Sequence, residues 1–270
     1  MKVATCYNWD ISFLYMAQNK KLVIGNWKLY IDSPKEAKEL YRASQNAARA
    51  TRRTHVVVCP QTPLLGLFAS NVSSSIRLGA QDAFWDVEPK HTGASSVYAL
   101  RSLGVSHVIL GHSEMRAAGE TSHLVSLKAQ TVIKHGLTAV ICVGENERDM
   151  RGGYLTTLES QIRESLTGIT RPKLASVVIA YEPVWAIGKS ADEAMTPTTL
   201  HETTLFIKKI LVSMYGRSAG TAVRVLYGGS VESKNAASLM QEGTVDGFLV
   251  GHASVDAKEF KAIIASVDKA

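Results

Sequence analysis

Val177-Val178-Ile179-Ala180-Tyr181-Glu182-Pro183-Val184-Trp185-Ala186-Ile187-Gly188-Lys189 is the stretch around which the rest of the chain is arranged. Its first four residues are an apolar run that predicts a buried strand. The run ends in one carboxylate, Glu182, and Pro183 follows at once, so a strand ladder cannot continue there. The residues beyond are apolar without a core-strand pattern, and they close at Gly188. A carboxylate at a strand's C-terminal end, beneath a segment stiff in its middle and permissive at its end, suggests a base under a lid. A capped strand and an ordinary loop is the plainer reading of these residues alone.

On either side, the same alternation of a short apolar run and a helical pattern recurs along the chain. Runs at Leu22 to Asn26, His55 to Cys59, Ile76 to Ala80, His107 to Gly111 and Thr138 to Val143 precede it; Val223 to Tyr227 and Gly247 to Val250 follow. Ser33-Pro34 and Thr196-Pro197 each offer an N-cap with proline at the first helical position, opening helices to about Ala48 and Tyr215. Further helices are expected near Pro63, at Ser95 to Leu103, Glu120 to His135, Leu155 to Leu166, Asn235 to Gln241 and Asp256 to Ser266. The strands are continuous apolar runs rather than alternating ones, so both faces are buried in a parallel sheet. Eight β-then-α units most simply close into a (β/α)8 barrel over residues 21–270. An open doubly wound sheet is the rival, and it usually carries G-x-G-x-x-G after its first strand. Gly25-Asn26-Trp27-Lys28 stands there instead. Residues 1–20 fit no unit and are read as an N-terminal extension.

The 270 residues, 46% hydrophobic, suffice for one sizeable core, and no apolar run is long enough for a transmembrane helix. The N-terminal apolar segment has an acidic flank and no small-residue cleavage site, which disfavours a secretory signal. Cys6, Cys59 and Cys142 are an odd set without C-x-x-C, which argues for reduced thiols, a cytoplasmic location and no structural zinc. The net charge of +6 comes without a basic stripe interleaved with aromatics, so nucleic acid is not an expected partner, while small anions are favoured.

In a barrel, the C-terminal ends of all strands meet at one face, where active sites lie. Those ends carry Asn26 and Lys28, His112 and Glu114, Glu182, Gly228-Gly229-Ser230, and Gly251-His252. Singly each has a plainer role, as turn former, surface cation or core imidazole. Together they make a cationic, donor-rich mouth with one carboxylate. Proton transfer beside the carbonyl of a phosphorylated substrate fits that mouth. Glycine-rich turns after strands seven and eight suit phosphate, and Gly188 can add an N–H from the lid. Lys28 supplies a point charge, Glu182 a base, and Asn26 a donor to a developing oxyanion. Ser113-Glu114-Met115-Arg116 can form a helical turn whose positive end keeps His112 neutral, ready to polarise a carbonyl. No H-E-x-x-H, nucleophile elbow or P-loop appears, no metal site is expected, and Cys142 reads as an inert core thiol.

At this point the residues resemble the triosephosphate isomerase family. The blocks are Gly25 to Lys28, Leu110 to Glu114, Ile141 to Glu145, Ala180 to Lys189, Tyr227 to Val231 and Asp246 to Gly251, in the family's order from about Lys21 to Ala270. The resemblance implies a TIM barrel that interconverts D-glyceraldehyde 3-phosphate and dihydroxyacetone phosphate, in glycolysis and gluconeogenesis. It implies Glu182 as the base shuttling a proton between C1 and C2, His112 as electrophile, and Lys28 and Asn26 steadying substrate and enediolate. Glu114 would stand behind the cationic site. Gly188, Ser230, Gly251 and His252 would hold the phosphate. No cofactor is implied, and a homodimer is.

Several residues depart from the family's pattern. His252 stands where a second glycine is usual; if that position needs positive φ, histidine adds strain, and otherwise its N–H still serves. Met115 replaces an arginine, which would remove a buried salt-bridge partner. Lys90, His91 and Ala94 alter the loop that reaches a partner subunit, and Tyr30 replaces an asparagine. These departures motivate a second reading, an isomerase of a four-carbon ketose phosphate. A non-catalytic binding protein would require a lost catalytic group, and none is lost.

Overall fold

A computed structural model describes residues 20–69, 75–88, 90–149, 151–189 and 195–270. Residues 1–19 of the expected extension, with Cys6, lie outside the described residues. Eight parallel strands close into a barrel in chain order: β1 (Lys21–Asn26), β2 (Thr54–Cys59), β3 (Ile76–Ala80), β4 (Val105–Leu110), β5 (Thr138–Val143), β6 (Val177–Tyr181), β7 (Arg224–Tyr227) and β8 (Gly247–Val250). Closure is made by β8 against β1, with Leu22 beside Gly247 and Gly25 beside Val250. The open-sheet alternative is thereby excluded.

Two buried layers explain why the strands read as unbroken apolar runs. Successive strand residues point to opposite faces. Leu22, Ile24, Val57, Ile109, Val140 and Leu226 fill the barrel interior. Their chain neighbours, such as Val23, Val56, Val108 and Val225, pack outward under the helices. Each such side chain contributes about 1.5–3 kcal/mol by leaving water.

The helices are α1 (Pro34–Arg49), α2 (Val97–Ser102), α3 (Ser113–Ala117), α4 (Ser122–Lys134), α5 (Gly153–Ser165), α6 (Pro197–Tyr215), α7 (Arg217–Ala222), α8 (Ser233–Gln241) and α9 (Ala257–Lys269). A 3-10 segment, Thr62–Leu67, takes the place of the short helix expected near Pro63. Both Ser/Thr-Pro starts act as expected: Glu36 N–H donates to Ser33 Oγ at 3.2 Å and Thr199 N–H to Thr196 Oγ1 at 3.3 Å. One start differs. The pattern predicts a helix from Glu120, but Thr121 is the N-cap and α4 begins at Ser122. Glu120 is turned inward, where its carboxylate accepts the Gly111 N–H at 2.9 Å and meets Lys128. The helix α7 has no expected counterpart; Gly216, at φ +84, separates it from α6.

Among the described residues no helix is long and apolar enough to cross a membrane. Cys59 and Cys142 are free and buried.

Candidate active site

Each expected residue except Gly188, which lies farther along the segment after β6, is at or just beyond a C-terminal strand end, and these ends open into one cavity of about 810 Å³. Asn26, Lys28, His112, Glu182, Gly188, Ser230, Gly251 and His252 all line it. Glu114 does not; it stands behind Lys28, whose Nζ donates to Glu114 Oε1 at 2.6 Å. Burial opposes ionisation of Glu114, but the Lys28 ammonium outweighs it and holds the carboxyl below its usual range.

His112 is the N-cap of α3, and the Glu114 backbone N–H donates to its Nδ1 at 3.2 Å. A ring nitrogen that accepts a backbone N–H carries no proton, so the proton of the neutral ring sits on Nε2. Nε2 lies 3.2 Å from Glu182 Oε1. The other carboxylate oxygen, Oε2, accepts the Ser113 N–H at 2.9 Å. Glu182 is 2% exposed, so its carboxylate oxygens rely on these contacts rather than on water. The backbone passes it closely: a Cβ at Gly228 would come 2.9 Å from Glu182 Cγ, and one at Gly144 would come 1.7 Å from Glu182 O. Only glycine fits at either place. The adjacent Cys142 thiol is pushed well above its normal range by burial and by Glu182, which fits the inert-core reading.

Lys28 has φ +43, a left-handed conformation costly for a side chain with a Cβ. Two contacts hold it there. Its N–H donates to Asn26 Oδ1 at 3.1 Å, and its carbonyl accepts from Gln81 Nε2 at 2.9 Å. Sequence reasoning misses Gln81, although it directly follows β3 and obeys the same strand-end rule.

Glu145 is also missed, although it lies two residues beyond β5. Its Oε1 accepts from Tyr181 Oη at 2.8 Å and from Trp185 Nε1 at 3.0 Å. Its carbonyl accepts the Val184 N–H at 3.0 Å, so it anchors the first half of the segment Pro183 to Lys189. Farther along, Ser230 Oγ donates to Ala186 O at 2.9 Å, and Gly188 takes φ +73 in open space.

Met115 is 38% exposed, so no buried ion pair is lost at that position. Arg116 supplies a half-buried guanidinium instead, donating to Gly111 O at 2.8 Å, Ser122 Oγ at 2.9 Å and Cys142 O at 3.0 Å. His252 opens a 3-10 turn and is not among the residues with positive φ, so histidine adds no backbone strain. Its ring meets Tyr30 edge to face, with centroids 5.2 Å apart, at the cavity rim. Two residues that depart from the pattern separately therefore contact each other. In the altered loop the Phe84 and His91 rings meet at a tilt of 47° with centroids 4.3 Å apart, and the Phe84 N–H donates to Ser95 O at 2.9 Å. Among the described residues no group of three or more His, Cys, Asp or Glu is arranged to hold a metal.

Comparison with known proteins gives a consistent result. The sequence profile of the triosephosphate isomerase family matches residues 21–267. Triosephosphate isomerase of Moorella thermoacetica is 39% identical over 248 residues, covering 91% of this chain and 98% of the relative. Triosephosphate isomerase of Solibacter usitatus is 38% identical over the same length with the same coverage. That of Thermoanaerobacter sp. (strain X514) is 36% identical over 247 residues, again 91% and 98%. With a closed barrel and a profile match over nearly all of it, the chain belongs to the triosephosphate isomerase family of enzymes.

Proposed function

We propose that this protein interconverts D-glyceraldehyde 3-phosphate and dihydroxyacetone phosphate, with Glu182 moving a proton between C1 and C2 through an enediolate. The observation that carries this is the Glu182–His112 contact of 3.2 Å in a cavity whose other walls suit an anion. With the ketose bound, the Glu182 carboxylate takes a proton from C1 while His112 Nε2–H donates to the carbonyl oxygen at C2. Electrons of the C1–H bond become the C1–C2 double bond, and the C2 oxygen becomes the enediolate oxygen. His112 gives its Nε2 proton to the C2 oxygen and takes up the proton of the C1 hydroxyl. Glu182 returns its proton to C2, and the O1 electrons form the aldehyde at C1, so the imidazole ends neutral as it began. A neutral imidazole suits the donor role because its pKa lies nearer that of an enediol than an imidazolium's does. Since Glu182 and His112 touch each other, the carboxylate must leave His112 and Ser113 for substrate to enter between them.

Lys28 and Asn26 steady the enediolate, and Glu114 keeps Lys28 aimed. Gly188, Ser230, Gly251 and His252 take the phosphate, the last through its N–H. Pro183 to Lys189 closes over the intermediate and excludes water, which suppresses loss of phosphate from the enediolate. The proposed chemistry draws on no cofactor. A coupled assay on purified protein tests it: turnover at background would end the proposal. Running tetrulose phosphate beside the triose phosphates decides between the two substrate classes, and a higher kcat/KM for the four-carbon ketose would favour the second.

The same reading takes residues 21–270 as one catalytic domain with residues 1–20 as an extension, in a cytoplasmic homodimer. Leu29 (76% exposed), Tyr30, Trp85 and Met115 support the dimer. They are exposed apolar side chains on neighbouring loops that Lys28 ties together through Glu114 and Gln81. Light scattering on a sizing column should give about twice 29.3 kDa; a monomer mass at micromolar protein would remove the dimer.

His252→Gly should leave kcat/KM within about twofold or raise it, since a surface change is worth about 0.5 kcal/mol and the backbone there strains no side chain. A loss of tenfold or more would show that the imidazole itself serves the phosphate.

A further inference from the structure

The opposite end of the barrel carries a second cluster of charge. Strand alternation points His55 inward with Val57 and Cys59, His107 inward with Ile109, and Arg224 inward with Leu226. Arg77 shares the face of Gly79, where a Cβ would press on Cys59 Sγ and Val57 Cγ1. All four stand near the N-terminal ends of β2, β3, β4 and β7, away from the catalytic mouth. The strands β3 and β7 are four apart in a ring of eight, so the two guanidinium stems face each other across the barrel.

Their charges are close enough to act on one another. Burial first, then the Arg77 and Arg224 guanidiniums, push His55 down to about 4 and His107 down to about 3. Both imidazoles are therefore neutral at neutral pH, and the two arginines carry the charge. Asp246 offsets Arg224. Arg77 is half-buried, and among the described residues its guanidinium meets no carboxylate and donates no hydrogen bond. His55 Nε2 is buried without a partner. A half-buried guanidinium without a counter-charge among the described residues and a buried ring nitrogen without a partner each lack what an oxyanion supplies.

We propose that the N-terminal mouth of the barrel is an anion site, for a small tetrahedral oxyanion such as inorganic phosphate, with Arg77 as its principal ligand. The planar guanidinium of Arg77 can give two parallel N–H donors to such an ion. Arg224 stands on the far wall, and His55 Nε2, buried without a partner, can donate in the tautomer that carries its proton there. His107 contributes less directly. Ser106 Oγ donates to Leu78 O at 3.1 Å, so its contact with His107 Nδ1 at 2.8 Å uses the ring's own proton and leaves Nε2 without one.

Histidine ring resonances of the full-length protein test this, because His55 and His107 report this mouth while His112 and His252 report the catalytic one. Titrated with inorganic phosphate near neutral pH, His55 and His107 should shift to saturation, and chloride at matched ionic strength should not reproduce it. Arg77→Met should abolish those shifts while the His112 and His252 shifts and kcat/KM remain. Arg77→Lys should weaken the affinity about tenfold or more. The proposal fails if His55 and His107 do not move, drift linearly as they do in chloride, or respond equally in Arg77→Met. If Arg77→Met does not fold, Arg77→Gln carries the same criterion.

Discussion

Shortening Glu182 to aspartate is expected to lower kcat/KM for the triose phosphates by about 100-fold or more, with KM changing much less. The loss of one methylene draws the carboxylate back by about 1 Å, a displacement of the size that costs about 10² in rate. At about 1.36 kcal/mol per tenfold, that is nearly 3 kcal/mol of barrier. The local geometry leaves little means of recovery. The Glu182 carbonyl is pressed against Gly144 and its Cγ against Gly228, so the backbone cannot advance to restore the reach. The shortened side chain would also lose the Ser113 N–H, which Glu182 accepts at 2.9 Å, and the His112 contact at 3.2 Å. Steady-state kinetics with circular dichroism as a fold check decides it. A variant folded like the parent and within threefold in kcat/KM would show that Glu182 is not the base.

Lys128→Met is expected to cost about 3–5 kcal/mol of stability, the range for removing one partner of a buried ion pair. Lys128 is 4% exposed and its Nζ donates to Asp82 at 2.7 Å and 2.8 Å and to Glu120. Without it, Glu120 is left as a buried carboxylate. For a domain of this size the change lowers Tm by roughly 6–20 °C. Activity should fall too, because Glu120 Oε2 accepts the Gly111 N–H and so fixes the turn that presents His112. Burial alone would lower the Lys128 pKa, but Asp82 and Glu120 reverse this and raise it. A raised folded pKa gives stability that is complete below the unfolded value and lost as pH rises through the folded one. The parent should therefore lose this increment on the alkaline side, and Lys128→Met should lack that limb. Thermal unfolding across pH measures both; a Tm within 2 °C of the parent would refute the assignment.

Much of this molecule is legible from residue order because its strands are buried on both faces. That makes each strand a continuous apolar run bounded by proline, glycine or a polar residue, and β1 to β8 fall within two residues of where those runs place them. The misreadings have local causes. Glu120 looks like the start of a helix until its contact with Lys128 and Gly111 turns it inward. Gln81 and Glu145 look like ordinary loop residues, because their partners at Lys28, Trp185 and Tyr181 are distant in sequence. Met115 looks like a lost ion pair, because sequence spacing cannot tell which of two adjacent residues on a short helix faces inward.

Residue order alone establishes that eight βα units alternate, that Glu182 directly follows the sixth strand, and that Asn26, Lys28, His112, Ser230 and Gly251 lie at or just past the ends of others. Those are consequences of local periodicity and chain order. Packing in three dimensions settles the rest: the Glu114 N–H meets His112 Nδ1, Tyr30 pairs with His252, and Arg77 lacks a counter-charge among the described residues at the far mouth. Closing a sheet into a barrel brings side chains from strands far apart in the chain into one small volume, and which of them touch is set by strand register and inward alternation.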